Sequence, residues 1–161
     1  MHTHASLFDI HTRSHQSLVK LMDHCAGFSD DELAREVEGF GYPCIRLQLH
    51  HVIGAEQYWV GVLHGLMLVD ELEEDYASID ALRAFRERVA GVTHAYLQTA
   101  DEAELNTARK MTTFGGHERE LVPAHIILRT QTHIFQHQGQ VGAMCRLLGR
   151  PIPPGLDFPV Q

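Results

Sequence analysis

Hydrophobic residues recur at helical spacing in four long stretches of the chain. These stretches cover residues 6–27, 43–65, 80–99 and 123–148, and within each the apolar positions follow one another at intervals of three or four. This spacing places the apolar side chains on one face of a helix, so that the face can pack against a neighbour. The pattern therefore predicts four long amphipathic helices.

Glycine and proline residues mark where these helices begin and end. Pro43 stands at the first position of the second helix, where proline is favoured, and Gly149 followed by Pro151 ends the fourth. Between the third and fourth helices, residues 111–116 read Met-Thr-Thr-Phe-Gly-Gly, which favours a small hairpin. The proline-rich residues 151–155 cannot be helical, and we expect them to lie extended over the body of the protein.

The chain shows no internal repeat and no Ser/Gly-rich linker. Its 161 residues suit one domain, because two halves would each be too small to build a good core. We therefore expect a single domain spanning 1–161 of the all-α class. Its predicted architecture is an antiparallel four-helix bundle with connections of unequal length and a small hairpin before the last helix.

Composition and charge exclude several classes of partner. Lys plus Arg is 13 and Asp plus Glu is 21, which gives a net charge of −8. This charge argues against non-specific electrostatic binding of nucleic acid. No apolar run approaches the roughly 20 residues that cross a bilayer, so no membrane partner is expected. The cysteines Cys25, Cys44 and Cys145 form no CxxC motif, which favours reduced thiols and a cytoplasmic location.

Histidine is unusually abundant, with 13 residues in the chain. The pairs His11/His15 and His133/His137 have His-x-x-x-His spacing, which puts two imidazoles on one helix face about 6 Å apart along the axis. Roughly one such pair arises by chance in so histidine-rich a chain, so spacing alone leaves open ordinary surface or core histidines.

The helical faces favour a metal site formed by His51, His133 and His137. On the fourth helix, His133 and His137 share a mostly apolar stripe, and on the second helix His51 also points inward. Adjacent buried imidazoles cannot both be charged, and a metal ion would satisfy them. His11 and His15 are further candidate ligands, although hydrogen-bonded histidines at the edge of the core remain the preferred interpretation for that pair.

Three imidazole ligands would leave coordination positions open, unlike a closed structural zinc site. Imidazole suits several divalent ions, of which we expect zinc or nickel, and metal affinity should fall below about pH 6 as protons compete. Tyr58 and Gln140 lie on the ligand faces and are candidates for orienting a substrate. Glu56 is a candidate general base, but it lies about 120° from the ligand stripe on the helical wheel, which favours a packing role.

Three local motifs together resemble the DinB-like superfamily of bacterial four-helix bundles, which includes the YfiT-type metal-dependent hydrolases. They are residues 49–59, with His51 followed by Glu56 and aromatic residues; residues 133–140, His-Ile-Phe-Gln-His-Gln-Gly-Gln; and the proline-rich exit at 147–157. The resemblance spans about residues 5–160. It implies a metal held by His51, His133 and His137, and homodimers are common in the family.

The sequence departs from the family pattern at two places. Gln138 replaces the usual Arg after the second histidine of the fourth helix, which we expect to alter a surface contact or a partner. His11 and His15 align where family members often carry Asn, so either could lie near the site as an extra ligand or polar group.

Three hypotheses for the function follow. The first is a metal-dependent enzyme acting on a small molecule, either a hydrolase or a transferase that uses a low-molecular-weight thiol, since related folds have thiol-dependent activities. The second is a metal-binding module or sensor without turnover, and the third is a structural or interaction protein without metal.

Overall fold

The protein is mostly helical. A computed structural model describes residues 1–66 and 72–160. Within these, the long helices are α1 (His4–Cys25), α3 (Ile45–His64), α4 (Ile79–Thr99) and α6 (Pro123–Leu147), and the short helices are α2 (Asp30–Leu33) and α5 (Glu102–Asn106). Strands β1 (Arg109–Thr113) and β2 (His117–Leu121) form an antiparallel hairpin between α5 and α6. The predicted helices and hairpin are therefore present.

Local sequence explains where the helices begin. Ser29 and Glu32 form a capping box, in which the Ser29 side chain accepts from the Glu32 amide and the Glu32 carboxylate accepts from the Ser29 amide. The prediction that the second helix begins at Pro43 is wrong by two residues. The Pro43 carbonyl accepts from the Val37 amide at 2.6 Å and Cys44 is extended, so α3 starts at Ile45.

The long helices pack so that each touches two of the others. Helix α3 packs against α4 and α6, and α1 packs against the same two helices. One apolar cluster joins the start of α1 and of α6, at Leu7 and Ile127, to the ends of α3 and α4, at Val62 and Leu97. Helices α1 and α6 therefore run in one direction and α3 and α4 in the other. The packed pairs α1/α4 and α3/α6 are antiparallel, whereas the consecutive helices α3 and α4 are parallel, which departs from the predicted antiparallel bundle and which their long connection permits.

A layer of buried polar residues separates two apolar clusters of the core. One cluster contains Leu7 and Leu97, and the other contains Leu18 and Phe85. Between them along the four long helices lie buried polar side chains: His11, Ser14, His15, Glu56, Thr93, Thr130 and Gln131. Because buried polar groups need partners, this layer is the first place in the core to look for chemistry.

The chain after α6 returns over the helices. Arg13 donates to the Pro159 carbonyl at 3.0 Å, and the Gln138 amide donates to the Leu156 carbonyl and to the Ser17 hydroxyl. Gln138 is buried, so the expectation that it alters a surface contact is wrong. Its amide instead holds the segment that follows α6 against α1 and α6.

None of the described helices is both long and apolar enough to span a bilayer.

Candidate metal centre

His51 of α3 and the pair His133 and His137 of α6 lie side by side. The Nε2 atoms of His51 and His133 are 3.1 Å apart, and one ring nitrogen from each of the three residues lies within 4.8 Å of the others. The ring centres of His133 and His137 are 4.3 Å apart, as expected for residues one helical turn apart on one face. The three predicted ligands are therefore brought together.

The separation of two of these nitrogens fits the ligand set of one divalent ion. Nitrogens bound at about 2.0–2.1 Å, with angles near those of an octahedron or tetrahedron, are about 2.8–3.4 Å apart. The separation of 3.1 Å between the His51 and His133 Nε2 atoms lies in this range. The donor set is also appropriate, since neutral imidazole binds zinc, nickel, iron and copper.

Gln48 determines which nitrogen of His137 can bind a metal. The Gln48 amide nitrogen donates to the Tyr42 backbone carbonyl and to the Gln140 side-chain oxygen, both at 2.8 Å, so the Gln48 oxygen must face the other way. That oxygen lies 2.5 Å from the His137 Nδ1 atom, which must therefore carry the proton and donate it. The Nε2 lone pair of His137 is consequently available, an arrangement typical of metal-binding histidines.

Tyr42 covers one side of the cluster. Its ring stacks on His51, with ring centres 3.9 Å apart and planes at 21°, and meets His137 edge-on at 6.1 Å. Sequence reasoning missed both Tyr42 and the orienting role of Gln48. Gln48 was recognisable as an inward polar residue of α3, but Tyr42 lies in a loop that carries no helical periodicity.

The environment keeps these histidines neutral. Burial, followed by the neighbouring rings of His133 and His50, lowers the pKa of His51 to about 4. Burial, His133 and His51 likewise lower the pKa of His137 to about 4, and burial lowers the pKa of His133. Neutral imidazoles at physiological pH are the form that binds a metal ion.

The cluster opens onto a cavity of about 390 Å³ between α3 and α6. His51 and His133 line this cavity together with Tyr58, Trp59 and Arg129. The Tyr58 hydroxyl accepts from the Phe114 amide at 2.8 Å, which ties it to the hairpin turn and leaves its proton free to donate. A small molecule in the cavity would thus meet two of the three candidate ligands.

A second group of His and Glu side chains lies within the polar layer. Glu56 is fully buried, and its carboxylate accepts from the Nε2 atoms of His11 at 3.2 Å and His15 at 2.8 Å, and from the Thr93 hydroxyl at 2.6 Å. Although burial raises the pKa of Glu56, hydrogen bonds and charge from His15 and His11 lower it below its ordinary range. Glu56 is therefore a carboxylate shared by α1, α3 and α4.

The second group fits a metal ion less well than the first, although its ligand atoms also lie within 4.8 Å of one another. Arg86 lies 3.4 Å from the His15 Nδ1 atom and can only donate, which places the His15 proton on Nε2, facing Glu56. The His11 Nδ1 atom is buried without a hydrogen-bond partner among the described residues. A histidine that binds a metal through Nε2 usually donates its Nδ1 proton to an acceptor, as His137 does, and His11 has no such acceptor among the described residues.

The remaining candidates are distributed between these groups. His11 and His15 pair with Glu56 and form a group separate from His51, an arrangement in line with the preferred interpretation of hydrogen-bonded histidines, and a role as extra ligands stays a prediction. Glu56 lies away from the ligand face, as the helical wheel indicated. Gln140 is connected to the site through Gln48, since its side-chain oxygen accepts from that amide.

The helical fold and the inward-facing histidine cluster define a class of helical proteins with a candidate metal centre between two helices. The family model of the DinB family matches residues 1–161, and the chain belongs to that family. A crystal structure of a conserved protein from Enterococcus faecalis superposes with a TM-score of 0.68 at 14% identity, covering 93% of this chain and 99% of that chain. At this identity the likeness is evidence for the fold alone. Among proteins with curated descriptions, none matches the chain.

Proposed function

We propose that this DinB family protein is a metal-dependent enzyme built on a single-domain four-helix bundle. In this proposal His51, His133 and His137 hold one divalent ion, zinc or nickel, and the ion faces the cavity between α3 and α6. The observation that carries the proposal is the convergence of the three imidazoles, with the His51 and His133 Nε2 atoms 3.1 Å apart on the wall of that cavity.

When bound, the ion would act as a Lewis acid that lowers the pKa of a water or thiol and polarises a substrate oxygen. The chain's own residues would prepare the site. Gln48 holds His137 in the tautomer that offers Nε2, and Tyr42 restricts access of water to the His51 side. Tyr58 and Arg129 line the space where a small substrate would lie.

We infer that the reaction is either transfer to a low-molecular-weight thiol or hydrolysis. Both need an activated nucleophile beside an open coordination position, which three protein ligands leave. A cytoplasmic location fits the three free cysteines, and a homodimer is the assembly we propose from the family resemblance.

Metal affinity in single variants tests the ligand assignment. We expect His51→Ala, His133→Ala and His137→Ala each to weaken zinc binding by more than about tenfold. His50→Ala is the matched control, because His50 neighbours His51 but packs on Tyr76 and Phe85. Competition titration with a chromogenic chelator, on protein without a histidine tag, measures these affinities. Equal losses from His50→Ala and His51→Ala would contradict the assignment.

Turnover tests the enzymatic part. Zinc-loaded and nickel-loaded protein is assayed for conjugation of electrophiles with several cellular thiols and for hydrolysis of activated esters and amides, beside His137→Ala. We expect at least one reaction to be faster in the wild type. Equal rates in wild type and variant across the panel would reduce the proposal to metal binding without catalysis.

A further inference from the structure

Arg129 stands out among the residues that line the cavity beside the histidine cluster. It lies one helical turn before His133 on α6, on the same face as His133 and His137. Its guanidinium lies over the Trp59 ring, 5.2 Å from the ring centre, and this cation–π contact limits the positions that the guanidinium can take. In the part of the chain that the structure describes, this guanidinium makes no hydrogen bond or ion pair.

Arg129 places a positive charge on the cavity wall one helical turn from His133. The other charged residue on its wall is Glu73, which lies beside Arg46, since Arg46 donates to the Glu73 backbone carbonyl at 2.8 Å. Among the residues that the structure describes, neither Glu73 nor any other carboxylate forms an ion pair with Arg129, so its guanidinium is available to a ligand in the cavity.

Apart from the imidazoles of His50, His51 and His133, the rest of the wall is aromatic and apolar. Tyr42, Tyr58 and Trp59 contribute ring surfaces, and Leu47 and Ala55 contribute aliphatic ones. The volume of about 390 Å³ is within the range for small-molecule sites, which are usually apolar with a few polar groups that fix orientation. A guanidinium is the side chain best suited to bind a carboxylate, through two parallel hydrogen bonds.

We propose that this cavity binds a small organic carboxylate, with its apolar part against Tyr58 and Trp59 and its carboxylate on Arg129. Because Arg129 lies one turn from His133, the ligand extends from the guanidinium toward the three histidines. Arg129 is thus a specificity-determining residue, and the substrate class of the proposed enzyme is a carboxylate-bearing small molecule. This identification as substrate rests on the proposed function, whereas binding of the carboxylate does not.

A matched pair of ligands tests the proposal, and the protein supplies its own reporter. The chain has one tryptophan, Trp59, which is in contact with Arg129. Protein freed of metal with a chelator is titrated at pH 7 with 3-phenylpropionate and with the uncharged 3-phenylpropanol, following Trp59 fluorescence and, independently, calorimetric heat. We expect the carboxylate to bind about tenfold more tightly than the alcohol, as one charge-assisted interaction would give.

Variants assign the preference to Arg129. In Arg129→Gln the affinities for the carboxylate and the alcohol should differ by no more than about twofold. In Arg129→Lys the preference for the carboxylate should be partly kept, because lysine retains the positive charge but cannot form two parallel hydrogen bonds. Arg146→Gln is the control, because Arg146 is an exposed arginine on the same helix but away from the cavity. It should behave as the wild type.

Equal affinities for the two ligands, a preference that survives in Arg129→Gln, or no binding of either ligand to metal-free and zinc-loaded protein would each overturn the proposal. The result is separable from the proposed function. A carboxylate preference in a protein that fails to bind zinc would refute only the metal-dependent enzyme. Zinc binding without a carboxylate preference would refute only the role of Arg129.

Discussion

At the scale of residues, the candidate metal centre depends on side chains that direct the imidazoles. Sequence periodicity placed His51, His133 and His137 on inward faces, because three- and four-residue spacing determines direction on a helix. It could not give the hydrogen bond from His137 to Gln48, which depends on how far α3 lies from α6 and on the orientation of one amide. Tyr42 was inaccessible to the same reasoning because it belongs to a loop.

The role of Gln48 can be tested by removing its side-chain amide. In Gln48→Leu the His137 Nδ1 proton loses its acceptor and the tautomer is no longer fixed, so zinc affinity should fall about 10–100-fold. Gln48→Glu keeps an oxygen at this position and should retain more of the affinity. Chelator competition measures both variants, and wild-type affinity in Gln48→Leu would show that the hydrogen bond does not orient a ligand.

At the scale of elements, the buried Glu56 connects three helices. His11 and His15 of α1 and Thr93 of α4 all donate to this one carboxylate of α3. The sequence showed His11 and His15 as a His-x-x-x-His pair and Glu56 as a residue of another helix, and nothing in the pattern connected the two. Their meeting could not be predicted, because it depends on which long helices pack side by side and at what offset, and helical periodicity within one helix does not determine either.

Removing the Glu56 carboxylate should therefore destabilise the protein without affecting the metal centre. Glu56→Leu leaves two buried imidazoles and a hydroxyl without their acceptor, so we expect the free energy of unfolding to fall by about 3 kcal/mol or more. Urea denaturation at pH 7 measures this loss, with the exposed Glu87→Leu as a control. Zinc affinity should stay within about twofold of wild type. Lost zinc affinity with unchanged stability would indicate that Glu56 belongs to a metal site.

At the scale of the whole molecule, the lowered pKa values link stability to pH. His51 and His137 have a pKa of about 4 in the folded state and about 6.5 when unfolded. Between these values the unfolded chain binds more protons than the folded one, so stability falls as pH is lowered through this window. Glu56 also has a lowered pKa, so its carboxylate is protonated more readily in the unfolded state than in the folded state. The free energy of unfolding therefore falls further below about pH 4.5.

We expect the free energy of unfolding of metal-free protein to decrease steadily from pH 7 to pH 4.5. Urea denaturation across this range measures the slope, which should be shallower in the double variant His51→Gln/His137→Gln. A stability that is constant or rises on acidification would contradict the neutral state of these rings.

Because the pKa values of His51 and His137 are about 4, protons should compete with zinc mainly near pH 4, lower than the value of about 6 that ordinary histidines would give.

An anomalous difference map from crystals grown with zinc, collected at the zinc absorption edge, would locate the ion among the candidate ligands. We expect one strong peak among the Nε2 atoms of His51, His133 and His137, with an open side toward the cavity that Arg129 lines. Absence of a peak there, or a peak only between His11, His15 and Glu56, would contradict the assignment of these three histidines as the metal ligands.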